Sequence, residues 1–279
     1  MHDEERHPFR HARDDIESAR IAPDTAQTRS PAYRLAFADP DFLQRDELRP
    51  VRLQLELLKT EILMAEFGVT STVAMFGSAR IPAPDADNTD GATAALARYY
   101  QEAREFARLM TLKCVETGRR DGVIVTGGGP GIMEAGNRGA ADAGGVSIGL
   151  NVVLPHEQAP NEYVTPELCF NFHYFGIRKM HFLLRAKAIA FFPGGFGTLD
   201  ELFESLTLIQ TGRMAQVPIL LFGSEFWERV VNWQALAEAG TIADEDLELF
   251  RYVETAAEAV ELIQTWEGAG VKRTHIPGR

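Results

Sequence analysis

The stretch that decides the fold reads Ala188-Ile189-Ala190-Phe191-Phe192-Pro193-Gly194-Gly195-Phe196-Gly197-Thr198-Leu199-Asp200-Glu201. Its first five residues are uniformly apolar, as expected of a strand buried on both faces. A turn of one proline and three glycines follows, and then a helical pattern over 198–211. Such a turn aims backbone N–H groups and the positive end of a helix at one point, and its glycines let the backbone approach an anion closely. Two other apolar runs end in similar loops: Thr72–Phe76 leads into Gly77-Ser78-Ala79-Arg80, and Gly122–Thr126 leads into Gly127-Gly128-Gly129-Pro130-Gly131 ahead of a helix over 131–143.

The alternation extends in both directions. Val146–Leu150, Leu168–Phe172 and Val217–Phe222 read as further strands, and 92–117, 175–187, 224–239 and 255–266 as further helices. Short buried strands alternating with longer helices predict an α/β fold, a parallel sheet covered by helices on both faces. Ligands in such sheets sit beyond the carboxyl ends of the strands, where the three glycine-containing loops lie. Leu48, Val51, Leu55, Leu58 and Ile62 recur at helical spacing until Gly68 and predict an N-terminal helical extension over 46–68. Residues 1–45 carry mixed charge and four prolines with little apolar periodicity, and read as a flexible or loosely docked arm. One domain is expected over 69–267, followed by a tail at 268–279.

With 279 residues, 45% hydrophobic and 24% charged, the chain can bury a substantial core and is not disordered over most of its length. No apolar run spans a bilayer and the N-terminus lacks a signal-peptide pattern, so a cytoplasmic protein is expected. The formal net charge of −12 opposes nucleic acid or an anionic membrane as a partner. A small anion is still compatible, because a ligand at contact feels its nearest dipoles. Cys114 and Cys169 sit in apolar surroundings and read as buried thiols. No metal is expected: His2, His7 and His11 lie near a terminus without a scaffold, and His156, His173 and His181 form no pair at i, i+4. Ser78 and Ser147 lack a nucleophile-elbow context. His181 suits a packing role as well as that of a base.

Neither loop that runs into a helix is a dinucleotide fingerprint: one reads Gly-Gly-Gly-Pro-Gly, and the other has Asp200 where the spacing from Gly195 and Gly197 requires glycine. No lysine follows at P-loop distance. The pattern therefore suits a mononucleotide or sugar phosphate, and a nicotinamide-dependent oxidoreductase is disfavoured. Two residue groups each have two readings. Thr198 to Glu201 has capping-box spacing, in which the glutamate braces its own helix. Alternatively its carboxylate faces the sugar of a bound nucleotide. Arg178-Lys179 can be a solvated basic pair, or can be held in a cleft by the aromatic stretch Phe170–Gly176 to meet a phosphate, ribose or base.

Taken together, Phe76-Gly77-Ser78-Ala79-Arg80, Gly127-Gly128-Gly129-Pro130-Gly131-Ile132-Met133-Glu134-Ala135, Arg178-Lys179-Met180 and Pro193 to Glu201 resemble the LOG ("Lonely Guy") family of cytokinin riboside 5′-monophosphate phosphoribohydrolases, often labelled lysine decarboxylases. The family pattern PGGxGTxxE is matched in full, and the resemblance covers about residues 72–265. It implies a Rossmann-like, doubly wound subunit, a homodimer or an assembly of dimers. The implied reaction is hydrolysis of the N-glycosidic bond of a nucleoside 5′-monophosphate, AMP or an N6-modified AMP, to free base and ribose 5-phosphate. By the resemblance the catalytic pair is Arg178 and Glu201, and the phosphate loop is Gly194, Gly195, Phe196, Gly197 and Thr198. Ser78, Gly128, Gly129, Lys179, Leu199, Asp200 and Thr207 complete the expected substrate contacts. After Met133 the chain has Glu134 and Ala135 where compact plant-type members have a second glycine, a departure that bears on the choice of base. No lysine stands in a pyridoxal-phosphate context, and no cofactor is expected. The competing expectation is a non-catalytic nucleotide or phosphate sensor on the same fold.

Overall fold

The computed structural model describes residues 9–84, 93–116, 118, 120–153 and 159–266. His2, His7, His156 and the 268–279 tail fall outside them. The chain divides into two compact units, Met1–Glu56 and Leu57–Arg279.

In the first unit, helix α1 (Ala12–Arg20) buries none of its residues. Local contacts accompany it, including Arg10 Nη2 donating to Ser18 Oγ at 3.0 Å, which is why no apolar stripe announced it. The short helix α2 (Pro40–Leu43) starts on proline and is capped by Asp39, whose carboxylate accepts from the N–H groups of Asp41 at 3.1 Å and Phe42 at 3.4 Å. Helix α3 (Arg49–Glu66) carries the chain into the second unit, where Thr60 and Met64 are buried.

The second unit is a seven-stranded sheet in the order β4-β3-β2-β1-β5-β6-β7, with every neighbouring pair parallel. In chain order it comprises β1 (Ser71–Phe76), α4 (Arg98–Glu116), β2 (Asp121–Thr126), α5 (Ile132–Asp142), β3 (Ser147–Val152), β4 (Cys169–Phe172) and α6 (Phe175–Leu183). There follow β5 (Ala186–Phe191), α7 (Phe196–Gln210), β6 (Ile219–Phe222), α8 (Ser224–Val230), α9 (Trp233–Glu238), β7 (Arg251–Val253) and α10 (Ala256–Gln264). This is a Rossmann-like, doubly wound α/β fold.

Strand periodicity makes the two cores. Ala74, Phe76, Val123, Val125, Ile189, Phe191, Ile219 and Leu221 face one side with Phe182, Leu202 and Trp227. Val73, Met75, Ile124, Ala188, Ala190, Leu220 and Phe222 face the other with Phe106, Ile132 and Ala259. Right-handed crossovers account for the split. Strands added outward from β1 in one direction place α4 and α5 on one face, and strands added in the other direction place α7 and α8 opposite. The order reverses between β1 and β5, and the loops after both strands open at that switch point.

Three details depart from the sequence reading. The 224–239 helix is two, because Val231 is extended and Asn232 caps α9 by accepting from Ala235 N–H at 3.0 Å. Strand β7 is three residues long, too short for a period to emerge. The cysteines are not buried: neither forms a disulfide, Cys114 is half-buried and Cys169 is exposed on the edge strand β4. No helix among the described residues is long and apolar enough to cross a membrane.

Candidate functional site

At the switch point the loops after β1 and β5 are tied together. Phe192 N–H donates to Phe76 O at 2.8 Å, and Ser78 N–H to Pro193 O at 3.0 Å. Ser78 O in turn accepts from Ile132 N–H, the first residue of α5, at 3.1 Å. Gly131 sits at φ +69°, and a Cβ there would come 2.5 Å from Ser78 O. The Gly-Gly-Gly-Pro-Gly loop is therefore shaped by close packing on the β1 loop, and α5 offers its first N–H to protein. A buried polar cluster holds the other side of that loop. Thr126 Oγ1 donates to Asn137 Oδ1 at 2.7 Å, and Asn161 Nδ2 donates to Gly128 O at 3.0 Å, Gly129 O at 2.9 Å and Asn137 Oδ1 at 2.9 Å.

The β5 loop is different. Helix α7 begins at Phe196 with Gly195 as its cap residue and no capping side chain. The N–H groups of Phe196, Gly197 and Thr198 thus have no carbonyl to reach within the helix. Gly194 is required by packing, since a Cβ there would collide with Thr198 Oγ1. Thr198 lies in the first turn and is not the cap, so the capping-box reading of Thr198 and Glu201 fails.

A cleft of about 270 Å³ lies between these loops, walled by Ser78, Arg80, Gly195, Gly197, Thr198, Arg178 and Glu201, with Phe76, Met133, Phe175 and Phe182 as apolar wall. Glu201 is only 4% exposed, and its Oε2 has no hydrogen-bond partner. Burial raises its carboxyl to about 7; Lys179 opposes the rise, Glu204 and Asp200 add to it, and Arg178 opposes it more weakly. Arg178 donates from Nε to Leu150 O at 2.7 Å, and its guanidinium lies 5.6 Å and 5.2 Å from the ring centres of Phe175 and Phe182. Burial lowers the affinity of Arg178 for its proton, partly offset by Glu201.

Of the residues expected from sequence, Arg178, Glu201, Ser78, Gly195, Gly197 and Thr198 share the cleft. Gly127, one residue before the expected Gly128 and Gly129, lines it in their place. Phe196 is at the loop tip, 93% exposed. Leu199 packs from α7 against the core, and Gly194 supports Thr198. Lys179 and Asp200 face each other, Nζ to Oδ2 at 2.7 Å, outside the cleft lining. Thr207 lies three turns along α7, at a separate depression with Phe203 and Trp233. His181 is buried against Phe172, its Nδ1 3.2 Å from Glu61 Oε1 without hydrogen-bond alignment, and is absent from the cleft wall. Phe175 belongs to the aromatic stretch expected to hold Arg178 in a cleft, whereas sequence reading gave no role to Arg80, Met133 or Phe182. Arg80 was legible from its place after β1, but Met133 and Phe182 are brought in only by the crossing of α5 and α6 over the sheet. Among the described residues no group of three or more His, Cys, Asp or Glu stands together as metal ligands would.

Residues 133–263 match the family model described as "Possible lysine decarboxylase". No curated protein matches the chain. Among solved structures, the molybdenum cofactor binding protein of the phototrophic bacterium Rippkaea orientalis is 18% identical, with a TM-score of 0.47 over 70% of this chain and 96% of that one. The protein TM1055 is 19% identical at TM-score 0.47, over 70% and 99% of the two chains. The molybdenum cofactor carrier protein of Chlamydomonas reinhardtii is 18% identical at TM-score 0.45, over 70% and 96%.

Proposed function

Residues 133–263 belong to the LOG-type, lysine-decarboxylase-like family, and from that premise we propose that the protein hydrolyses the N-glycosidic bond of a nucleoside 5′-monophosphate, AMP or an N6-modified AMP, releasing the base and ribose 5-phosphate. One observation carries the reading: the open N-terminus of α7 and, one turn further along the same helix, the buried carboxylate of Glu201, whose Oε2 accepts no hydrogen bond, line a single cleft with Arg178. A phosphomonoester on the N–H groups of Gly197 and Thr198 puts its ribose beside Glu201.

Glycoside cleavage develops positive charge on the sugar, so the site has to stabilise that charge, deliver water and help the base leave. A buried carboxylate whose Oε2 accepts no hydrogen bond, with the Lys179 ammonium 3.9 Å away, supplies the first two needs, because a charge in a desolvated cleft acts strongly on a nascent cation. Glu201 orients the ribose and the attacking water and offsets the growing charge. Arg178, clamped by Leu150 O and two phenylalanine rings, meets the nucleotide from the opposite wall and assists the departing base by hydrogen bonding. Phe175, Met133 and Phe182 give the apolar surface against which a purine can lie.

A lysine decarboxylase would need a lysine free to form an imine with pyridoxal phosphate. Among the described residues no lysine lines the cleft, and Lys179 is paired with Asp200 and Glu204, so the residues do not fit that group. The test is a chromatographic panel of nucleoside 5′-monophosphates with the matching unphosphorylated nucleosides as controls. Free adenine from AMP and none from adenosine is the expected result. Binding of AMP without release of base would replace the hydrolase by a nucleotide sensor.

A further inference from the structure

Lys179 follows Arg178 on α6 and, by resemblance, was expected among the substrate contacts. Its surroundings give it another task. The side chain is 13% exposed, and its ammonium reaches three carboxylates of α7: Asp200 Oδ2 at 2.7 Å, Glu204 Oε2 at 2.9 Å and Glu201 Oε2 at 3.9 Å. The first is a hydrogen bond, and the approach to Glu204 lacks hydrogen-bond alignment. A lysine held in this way has no reach left for a phosphate in the cleft, whose wall it does not join. We propose that Lys179 is the positioning residue of Glu201, a fixed countercharge pinned by Asp200 and Glu204 that keeps the buried carboxyl ionised behind the cleft.

The arrangement explains why three acidic residues stand on one face of a helix beside a single lysine. Asp200 and Glu204 flank Glu201 at one position before and three after it on α7, and alone they would oppose its ionisation. Lys179, reaching from α6, answers all three. The charged groups facing Glu201 are thus Lys179 and Arg178 from α6, Asp200 and Glu204 from α7, and Arg80 on the opposite cleft wall after β1. Burial drives Glu201 toward its neutral form, and Lys179 is the largest influence in the other direction. Burial also lowers Lys179, but Asp200, Glu204 and Glu201 outweigh it and leave the ammonium more firmly protonated than usual. The countercharge therefore persists through the neutral range where Glu201 titrates.

This inference rests on the hydrolase reading for its kinetic arm and is independent of it for its spectroscopic arm. Carbon-13 NMR of protein labelled at the glutamate carboxyl, with Glu201→Gln to assign the signal, follows the ionisation of Glu201 directly. Lys179→Met should move its midpoint upward by about one pH unit or more, the size expected for losing an opposite charge at this distance. Lys179→Arg should return it to near the wild-type value. Asp200→Asn, at an exposed position, should move it downward and serves if Lys179→Met does not fold. In AMP hydrolysis Lys179→Met should shift the acid limb of kcat/KM to higher pH and recover most of its rate at about pH 9, with KM changed less than about twofold. An unmoved Glu201 midpoint overturns the proposal. So does a KM raised tenfold or more at every pH, which would make Lys179 a phosphate ligand after all. Absence of base release from every wild-type assay defeats the hydrolase reading alone and leaves the NMR result to decide the role of Lys179.

Discussion

Glu201 is a side chain that the fold does not need in its charged form. Its Oε2 is buried without a hydrogen bond, and its carboxyl is raised to about 7, mainly by burial. A carboxyl raised in the folded state is no burden at a pH below its unfolded value near 4.5. Above that it costs progressively more as pH climbs through 7, because the unfolded chain gives up the proton first. Glu201→Gln should therefore raise thermal stability little at pH 4 and by as much as about 3 kcal/mol at pH 8, seen as a growing gap in Tm between variant and wild type. The same substitution should lower turnover by roughly 10² or more while nucleotide binding is largely kept. A gap in Tm that does not widen with pH would mean that Glu201 ionises as freely as an exposed glutamate. Because the carboxylate is the working form, kcat/KM should rise with pH through about 7. Arg178→Ala should weaken both binding and turnover, and an unchanged KM and kcat would remove it from the site. The choice between brace and functional carboxylate could not be read from the Thr198-to-Glu201 spacing. It turned on where the helix starts, and α7 begins at Phe196, two residues ahead of Thr198, with Gly195 as its cap. A start on Phe196-Gly197 has poor intrinsic helix propensity and leaves no periodic signal.

Apolar pattern carried the strands: β1, β2, β5 and β6 are buried on both faces and were visible as short continuous runs. The loops after them were visible through glycine. What glycine did not reveal is that the two helix-entering loops have unequal tasks. The one before α5 is spent on packing, Gly131 against Ser78 and Ile132 N–H onto Ser78 O, whereas the one before α7 is open. Asn161 is the joint that holds the first of them, and it lies more than thirty residues from the loop it fixes, beyond any local motif. Its side chain donates to Gly128 O, Gly129 O and Asn137 Oδ1. Asn161→Ala should cost about 2 kcal/mol in urea unfolding, since the acceptors it leaves are part-buried. It should also raise KM, because the β1 and α5 loops form one wall of the cleft. A variant with native stability and native KM would show that the loop holds its shape without this joint. The Lys179 cluster was equally hidden: a basic pair in sequence says nothing of the three carboxylates that a neighbouring helix brings to one of its members.

A parallel sheet whose strand order reverses once has one place where two strand-end loops diverge over an open crevice, and here it falls between β1 and β5. Every residue lining the cleft, from Phe76 to Glu201, belongs to the second of the two units, whose bounds are Leu57–Arg279. That unit buries Thr60 and Met64 of α3, and among the described residues the members of its two cores begin at Met64. A formal net charge of −12 on the whole chain does not prevent anion capture there, because the open N–H groups of α7 together with Arg178 and Arg80 set the local field. Because the residues of the cores and of the cleft all lie after Leu57, a chain beginning at Asp46, with α3 intact, should fold on its own and keep the cleft. Its Tm by circular dichroism should lie within about 4 °C of the full chain, a change below roughly 1 kcal/mol for a unit of this size. Base release from AMP should stay within about twofold. A soluble, folded truncation that has lost tenfold or more in kcat/KM would instead assign residues 1–45 a part in catalysis, and a truncation that fails to fold would make them part of the core that supports the sheet.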